Sequence, residues 1–382
     1  MLKSGKYDFI FLGAGCASLS LLLRLLHSGQ TRDKKILLID KEPKTKNDRT
    51  WCFWEKEPGF FEEIVFKKWD SISVLGDGPS SPMDIHPYRY KMIRGIDFYN
   101  YCFREIAKHD NIEIVYGDLQ DFQYEKPGSI LLKINNQEFR LVDDSGVYVF
   151  NSIYRLGEPG KNIRLLQHFK GWLIETPQPA FEPEIARIMD FRVSQQYGTS
   201  FAYVLPFSAT SALVEYTLFT KELLQPAQYD TELKAYIKDL LGISEYKIRE
   251  QEFGVIPMTN EQFNSLGWGI GTAGGQTKAS SGFTFQFIQK QSEQIARFLL
   301  EGKNLNKLPA TPKRFRFYDN TLLYILYHNK VPGKKIFTDL FKKNKPQQVL
   351  RFLDNESSLK EELKIIATLP TWPFLKAAIK QL

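Results

Sequence analysis

The stretch YDFIFLGAGCASLSLLLRLLHSG, residues 7–29, decides the fold class of this 382-residue chain. Its residues 8–12 form a short apolar run, typical of a parallel strand that is buried on both faces. Gly13 and Gly15 predict a tight turn that lets the backbone approach a phosphate. The following helix, predicted over residues 16–26, presents its N-terminal amides to the same phosphate. This stretch therefore predicts the first strand, turn and helix of a dinucleotide-binding domain.

The next strand-like run, KKILLID, supports the same interpretation. It ends in Asp40, which is placed to accept hydrogen bonds from a ribose hydroxyl. Ser18 occupies the third glycine position of the G-x-G-x-x-G pattern, where a small side chain still permits close helix–strand packing. A terminal Asp would repel a 2′-phosphate, so these residues predict FAD or NAD rather than NADP.

A second glycine-rich loop lies far downstream, in GWGIGTAGGQTKASSGF at residues 267–283. Gly271, Gly274 and Gly275 precede small residues and a long amphipathic helix, whose N-terminus can hold the flavin's diphosphate–ribityl region from the opposite side. An N-terminal Rossmann unit completed by such a late element resembles the glutathione-reductase-type flavoproteins and related hydroxylases. The resemblance selects FAD as the cofactor.

The predicted fold class is α/β, with a Rossmann-type FAD-binding domain, an inserted β-sheet substrate domain and a helical C-terminal region. The expected boundaries are 1–60, 95–160 and 255–300 for the discontinuous FAD-binding domain, 61–94 and 161–254 for the substrate-binding sheet domain, and 301–382 for the basic helical region.

The amino-acid composition limits the classes of ligand and partner that the protein is expected to bind. Aromatic residues make up 14% of the chain, which favours a large apolar surface or an apolar ligand. The net charge of +7 fits an anionic cofactor or lipid surface, and we predict no nucleic-acid partner. The three cysteines lack C-x-x-C spacing and the five histidines are scattered, so no metal site is predicted. No apolar run reaches the ~18–20 residues needed to span a bilayer.

Aromatic side chains follow the second strand, in NDRTWCFWEKEPGFF at residues 47–61. This segment should emerge beside the cofactor at the carboxyl ends of the strands. Arg49 is a candidate partner for FAD phosphate or ribose groups. Trp51 and Trp54 are candidates for stabilising a cation with their ring faces.

A series of motifs resembles the bacterial lycopene β-cyclase family, in the family's order and over most of the chain. The matching segments are DRTWCFW (48–54), QHFKGWLIET (167–176), MDFR (189–192), YVLPFS (203–208), LVEYT (213–217), GVIPM (254–258) and GTAGGQTKASSGFTF (271–285).

The resemblance implies an enzyme that cyclises the ψ-ends of lycopene to β-ionone rings, giving γ-carotene or β-carotene. The family's reaction has no net redox change but requires reduced FAD, with NAD(P)H as the implied reductant. Protonation of the terminal double bond is followed by carbocation closure and loss of a proton. Glu215 matches the family's proposed proton donor. Tyr216 stands where the family commonly has a second carboxylate, and its role is left open.

Strand periodicity gives Glu215 an unusual environment. Leu213, Glu215, Thr217 and Phe219 share one face of a predicted strand, and both faces are largely apolar. A carboxyl group in such surroundings has its pKa raised and keeps its proton at neutral pH. Asp190 is a further candidate, either lining the cavity or orienting a neighbour.

The tail carries eleven Lys/Arg against three Asp/Glu over residues 301–345, interspersed with apolar residues. This pattern suits either an anionic lipid surface or an ordinary solvated basic face. Because a carotene is insoluble in water, we expect a peripheral protein on the cytoplasmic side of the bacterial inner membrane.

Two other functions remain open from the sequence. A flavin-dependent hydroxylase or isoprenoid reductase would use the same architecture for net redox chemistry. The other is a non-enzymatic protein, either a flavin-binding sensor or a membrane-recruited interaction protein. The number of ends cyclised, the ring type and the oligomeric state are also open.

Overall fold

The computed structural model describes residues 5–78, 80–125, 128–143, 146–157, 160–261, 263 and 266–381. Residues 1–4 and 382, at the outer limits of the predicted domains, lie outside the described residues.

The strands in chain order are β1 (Phe9–Leu12), β2 (Ile36–Asp40), β3 (Thr50–Glu55), β4 (Lys67–Trp69), β5 (Ser71–Leu75), β6 (Met83–Asp84), β7 (Arg89–Arg94), β8 (Ile112–Tyr116), β9 (Leu119–Glu125), β10 (Ser129–Ile134), β11 (Gln137–Val142), β12 (Tyr148–Asn151), β13 (Arg164–Glu175), β14 (Ile185–Asp190), β15 (Thr199–Pro206), β16 (Ser211–Thr220), β17 (Lys247–Thr259) and β18 (Trp268–Gly269). The α-helices are α1 (Cys16–His27), α2 (Gly95–Ile106), α3 (Pro226–Ala235), α4 (Phe285–Leu300), α5 (Lys313–Tyr327), α6 (Gly333–Lys343), α7 (Pro346–Leu353), α8 (Leu359–Ile366) and α9 (Thr371–Ile379).

The nucleotide-binding part is a parallel sheet with strand order β18-β12-β1-β2-β8. All residues of β1 and β2 are buried, as expected for strands covered on both faces. Helices α1 and α4 pack against each other on one face of this sheet. On the other face lies the antiparallel sheet β11-β10-β9. The predicted Rossmann-type unit is confirmed, and its late strand β18 leads directly into the second glycine loop.

The largest sheet has the order β17-β13-β16-β15-β14-β5-β6. Within the predicted segment 61–94, β5 and β6 join this sheet, whereas β4 and β7 pair with β3 in a small separate sheet. Strand β3 lies between the two cores, because Phe53 packs in the core of the nucleotide-binding part and Trp54 in the core of the large sheet. Residues 50–55 of the aromatic segment form β3 of this small sheet.

Both faces of the large sheet are covered. Val214, Tyr216 and Leu218 of β16 pack under α3 and the π-helical turn Tyr236–Leu240. On the opposite face, Leu213 and Phe219 belong to a core shared with the C-terminal helices. The alternation predicted for this strand is confirmed, and Glu215 shares its face with Leu213 and Phe219 of that core.

The helical C-terminal region is also confirmed and is anchored to the second glycine loop. The Phe337 ring of α6 lies 6.0 Å from Phe191 and 5.9 Å from Phe219, centroid to centroid. Buried Lys278, just after the glycines, pairs with Asp319 of α5 at 2.7 Å. The C-terminal helices thus hold the loop that faces the functional cavity.

Candidate active site

The first glycine turn leaves room for a phosphate at the start of α1. Gly13 has φ of +91°, and a Cβ atom there would lie 2.6 Å from Ser152 Oγ, so only glycine fits. A Cβ on Gly15 would meet nothing within 4 Å. No side chain caps α1, and its first turn has no acidic residue. The first amides of this helix are therefore available to an anion.

Ser18, in place of the third glycine, makes a specific contact in this structure. It is fully buried, and its hydroxyl donates to Ser152 Oγ at 3.0 Å. Ser152 in turn donates to the carbonyl oxygen of Leu12 at 2.9 Å. A hydrogen-bonded serine pair thus connects α1 to the ends of β1 and β12 at the position where a glycine would allow direct contact.

Asp40 ends β2 and is buried. Its Oδ2 accepts a 2.6 Å hydrogen bond from the Ala14 amide, and its Oδ1 lies 2.9 Å from Lys44 Nζ. The carboxylate therefore fixes the glycine turn directly. The predicted contact with a ribose hydroxyl remains a prediction, and it would use the lone pairs that these partners leave.

The second glycine loop approaches the first. Gly271 has φ of +60°, and a Cβ there would lie 2.7 Å from the Cβ of Ala17 on α1. A Cβ on Gly274 would lie 2.2 Å from the Gly269 carbonyl oxygen, and Gly275 ends the short 3₁₀ turn at φ +74°. Each glycine is required by a close contact or a left-handed conformation. The loop then leads into α4, whose N-terminus also lacks a side-chain cap.

These two loops and the large sheet enclose one cavity of about 560 Å³. Its volume falls within the ~300–1,000 Å³ typical of ligand sites. The lining comes from α1, from β3 and the residues before it, from the large sheet, and from the second glycine loop with the start of α4: Gly15, Cys16, Ala17, Arg49, Thr50, Trp51, Cys52, Tyr90, Gln167, Phe169, Tyr203, Leu205, Leu213, Glu215, Glu252, Gly271, Thr272, Gly282, Phe283, Thr284 and Phe285 among others.

Glu215 lies on the cavity face of β16. Its Oε1 accepts a 2.5 Å hydrogen bond from Thr217, two residues along the same face. Across the sheet, Tyr203 of β15 and Gly171 of β13 are its register partners. Gly171 is also the register partner of Glu252 on β17. The row Tyr203–Glu215–Gly171–Glu252 thus places two carboxyl groups on one wall of the cavity, across a residue with no side chain.

The environment changes the acidity of both glutamates. Burial, followed by the neighbouring Glu252 carboxylate, raises the pKa of Glu215 well above its ordinary value. Burial also raises the pKa of Glu252, although hydrogen bonds from Thr50 and Glu215 oppose the rise. Thr50 donates to Glu252 Oε2 at 2.7 Å. Of the two groups, Glu215 is the one that the surroundings favour as the neutral acid.

Glu252 was not singled out from the sequence. It lies 37 positions beyond Glu215 (252 − 215), so only strand pairing brings the two together. A signal was present in QEFGVIPM, where Glu252 stands two positions before the family-like segment GVIPM.

The two tryptophan candidates differ in their relation to the cavity. Trp51 lines the cavity and packs edge-on against Phe98 at 5.0 Å. Trp54 is on the opposite face of β3 and lies outside the cavity lining, with its ring 4.8 Å from Phe283. Since Phe283 does line the cavity, Trp54 is in contact with one of the lining rings. Arg49 also lines the cavity, as expected for a cofactor contact.

Two other candidates lie outside the described cavity lining. Asp190 is fully buried and accepts hydrogen bonds from Arg192 at 2.9 and 2.6 Å and from Tyr236 at 2.8 Å. Burial opposes its ionisation, but these hydrogen bonds prevail and lower the pKa of Asp190. Tyr216 is buried on the face of β16 opposite to Glu215. The structure therefore brings neither residue to the acid.

No cluster of metal-binding side chains is found among the described residues. The polar side chains that line the cavity include the carboxyl groups of Glu215, Glu252 and Asp48, several hydroxyls, the Gln167 amide and the cations Lys44 and Arg49. This set suits an anionic organic cofactor and proton transfer.

The fold is shared with flavin-dependent oxidoreductases. A geranylgeranyl bacteriochlorophyll reductase-like protein from Thermoplasma acidophilum superposes with a TM-score of 0.63 at 12% identity, covering 100% of both chains. A flavoprotein/dehydrogenase from Cytophaga hutchinsonii gives a TM-score of 0.64 at 12% identity, covering 98% of each chain. Fold and cavity thus define a protein of the FAD-binding reductase and monooxygenase fold.

Sequence similarity identifies the family within this class. The chain matches the family described as "Lycopene cyclase protein" over residues 8–379, and it belongs to that family. The lycopene beta-cyclase of Pantoea ananas is 28% identical over 219 residues, which cover 55% of this chain and 52% of that protein. The match to this curated relative therefore spans about half of its length.

Proposed function

We propose that the protein is a lycopene β-cyclase that closes the ψ-ends of lycopene into β-ionone rings by protonation. The observation that carries the proposal is Glu215, a carboxyl group that lines the cavity entered by the glycine loops and whose pKa burial raises. Membership of the lycopene cyclase family supports an acyclic carotene as the substrate.

Glu215 would act as the general acid. Its raised pKa, caused first by burial and then by the Glu252 carboxylate, keeps the proton available at neutral pH. Thr217 fixes the orientation of the carboxyl group through its hydrogen bond to Oε1. Protonation of a terminal alkene forms a C–H bond and a carbocation, which the neighbouring double bond attacks to close the ring.

The residues of the two glycine loops fit an FAD. The unpaired amides at the start of α1 would hold the pyrophosphate of the FAD. The N-terminus of α4 would face the diphosphate–ribityl region from the opposite side. Arg49 adds a positive charge to the same cavity. When bound in its reduced form, with NAD(P)H as reductant, the flavin would supply electron density that stabilises a nearby cation.

Besides the flavin, the aromatic side chains that line the cavity would stabilise the carbocation. Trp51, Phe169 and Tyr203 line the cavity with Glu215. Aromatic faces stabilise desolvated cations by about 0.5–2 kcal/mol each. Tyr203 pairs in register with Glu215, so its ring lies beside the acid.

A net redox reaction is the main alternative, because the structural neighbours include a reductase-like protein and p-nitrophenol 4-monooxygenase. A hydroxylase or an isoprenoid reductase of this fold would consume NAD(P)H and change the mass of its substrate. The buried acid pair favours cyclisation, since neither redox reaction needs two carboxyl groups on the substrate wall. A non-enzymatic flavin protein would need neither.

Incubation of the purified protein with lycopene and reduced FAD, without oxygen, should yield a cyclic isomer of equal mass.

Glu215→Gln should lower the rate by ~100- to 10,000-fold, because an amide cannot donate the proton in the required step. Chromatography and mass spectrometry of the carotenoids measure both results. Glu175→Gln is the matched control, because Glu175 lies in the same sheet but is exposed and paired with Arg249 at 2.6 Å. Full activity of Glu215→Gln would refute the acid assignment, and a hydrogenated or oxygenated product would favour the redox alternative.

Gly271→Ala should reduce the flavin content of the purified protein, because the new Cβ would meet Ala17 at 2.7 Å and push the loop away from α1. The matched control is Gly302→Ala, since Gly302 has a similar φ of +64° but open space around its Cβ position. Both variants bear the ~1–2 kcal/mol cost of a left-handed alanine. Flavin absorbance per mole of protein is the measurement. Equal flavin content in the two variants would contradict the placement of FAD between the loops.

The substrate's insolubility leads to a second part of the proposal, peripheral binding to the cytoplasmic side of the inner membrane. Among the described residues, no helix is long and apolar enough to cross a bilayer. Helices α8 and α9 instead expose apolar side chains at helical spacing: Leu359 and Leu363 on α8, and Trp372, Leu375 and Ile379 on α9. Exposed Lys360, Lys364, Lys376 and Lys380 flank them. This pairing of exposed apolar and basic side chains fits an anionic lipid surface. These residues follow the basic segment 301–345 that the sequence analysis singled out.

The double substitution Leu363→Ser and Trp372→Ser should weaken binding to vesicles that contain anionic lipid. Burying each of these side chains is worth about 1.5–3 kcal/mol, so the loss should be at least about tenfold. Co-sedimentation with the vesicles measures it. Tyr124→Ser is a control, because Tyr124 is 47% exposed on the distant β9. Unchanged vesicle binding by the double variant would contradict the assignment of this surface.

A further inference from the structure

Gly171 allows two carboxyl groups on alternate strands to meet. Strands lie ~4.8 Å apart, so Glu215 and Glu252 are separated at the backbone by about twice that distance, with β13 between them. Any side chain at position 171 would occupy the gap. A Cβ added to Gly171 would lie 3.0 Å from Glu252 Cγ and 3.2 Å from Glu252 Oε1. The glycine thus leaves a space that the Glu252 side chain occupies, next to Glu215 on the adjoining strand.

One acceptor in this space lacks a donor. Oε1 of Glu252 is buried and has no hydrogen-bond partner among the described residues, whereas Oε2 accepts from Thr50. An unpaired buried carboxylate oxygen is costly. Glu215 is the neighbouring acid on the same wall, each carboxyl affects the pKa of the other, and Glu215 can supply a donor to this oxygen only when it carries a proton.

We propose that Glu252 is the proton-sharing partner of Glu215, so that the two carboxyl groups hold a single proton across Gly171. This inference rests on the proposed cyclase function for its catalytic meaning. Glu252 acts through Glu215 and is therefore a positioning residue. Its negative charge prevents Glu215 from ionising, and its Oε1 fixes the direction of the O–H bond. Two carboxyl groups that are buried on the same cavity wall cannot both ionise without a large energetic cost, so one proton is retained.

The groups around the pair do not compete for this proton near neutral pH. Burial raises the pKa values of Cys52 on β3, Tyr90 on β7 and Tyr203 on β15 well above their ordinary values, so all three stay neutral. The charged groups that face Glu252 are Arg49 and Glu250. The carboxyl pair is therefore the group whose ionisation sets the upper pH limit of activity.

The shared proton also accounts for the conservation of protons over the catalytic cycle. When Glu215 protonates the terminal alkene, its O–H bond breaks, a C–H bond forms, and two carboxylates face the carbocation. After ring closure, a ring C–H bond breaks, its electron pair forms the new double bond, and the proton returns to the carboxylate pair. The pair begins and ends the cycle with one proton, as an isomerisation requires.

Glu252→Gln tests the proposal. Removing the anion lowers the pKa of Glu215, so the protonated acid is lost at lower pH. The alkaline limb of the pH–rate profile should shift down by about one unit or more, the scale of effect that a charge at this distance produces. Glu175→Gln should leave the profile unchanged. Gly171→Ala should shift it in the same direction as Glu252→Gln, because it displaces the Glu252 carboxyl without removing it.

Infrared titration supplies a readout that is independent of turnover. The carbonyl band of protonated Glu215, identified by its loss in Glu215→Gln, should titrate at lower pH in Glu252→Gln than in the unchanged protein. An unshifted band or an unshifted profile would overturn the shared proton. If the unchanged protein did not cyclise lycopene but the band still shifted, the proposed function would fail while the carboxyl pair would stand.

Discussion

The contact of two carboxyl groups across a glycine is the interaction on which the account of this site depends. Isolated in an apolar cavity, one glutamate would be a neutral acid with no fixed direction. Paired with Glu252 across Gly171, it gains both a reason to stay protonated and an acceptor that orients its proton. Alkene protonation needs both, because the proton must be delivered to one carbon of an apolar chain that offers no hydrogen bonds.

The rest of the fold positions this pair. Strands β13, β16 and β17 are long and continuous, so their register fixes the glutamate row. Two glycine loops converge on the same cavity, and Lys278, paired with Asp319, attaches the second loop to the C-terminal helices. A helical region that looks peripheral in the sequence therefore stabilises the proposed cofactor site directly.

Local sequence patterns predicted much of this arrangement. The glycine turn, the parallel strands and the late glycine loop were readable because each depends on neighbouring residues. The alternation along LVEYT placed Glu215 correctly, since strand parity is a local property. Glu252 was missed because strand pairing between distant segments is not encoded locally. Trp51 and Trp54 were treated as one aromatic group, whereas β3 is a strand and residues three apart on a strand point to opposite faces. Tyr216 follows the same rule and faces away from its neighbour.

The central claim is that a carboxyl proton of the protein is transferred to the carotene carbon skeleton. Cyclisation of lycopene in D₂O by the protein and reduced FAD tests this claim most directly, because the carboxyl proton exchanges with solvent whereas the substrate's C–H bonds do not. The account predicts a cyclic product that carries deuterium on a ring carbon, detected by mass spectrometry. A cyclic product free of deuterium would contradict the account.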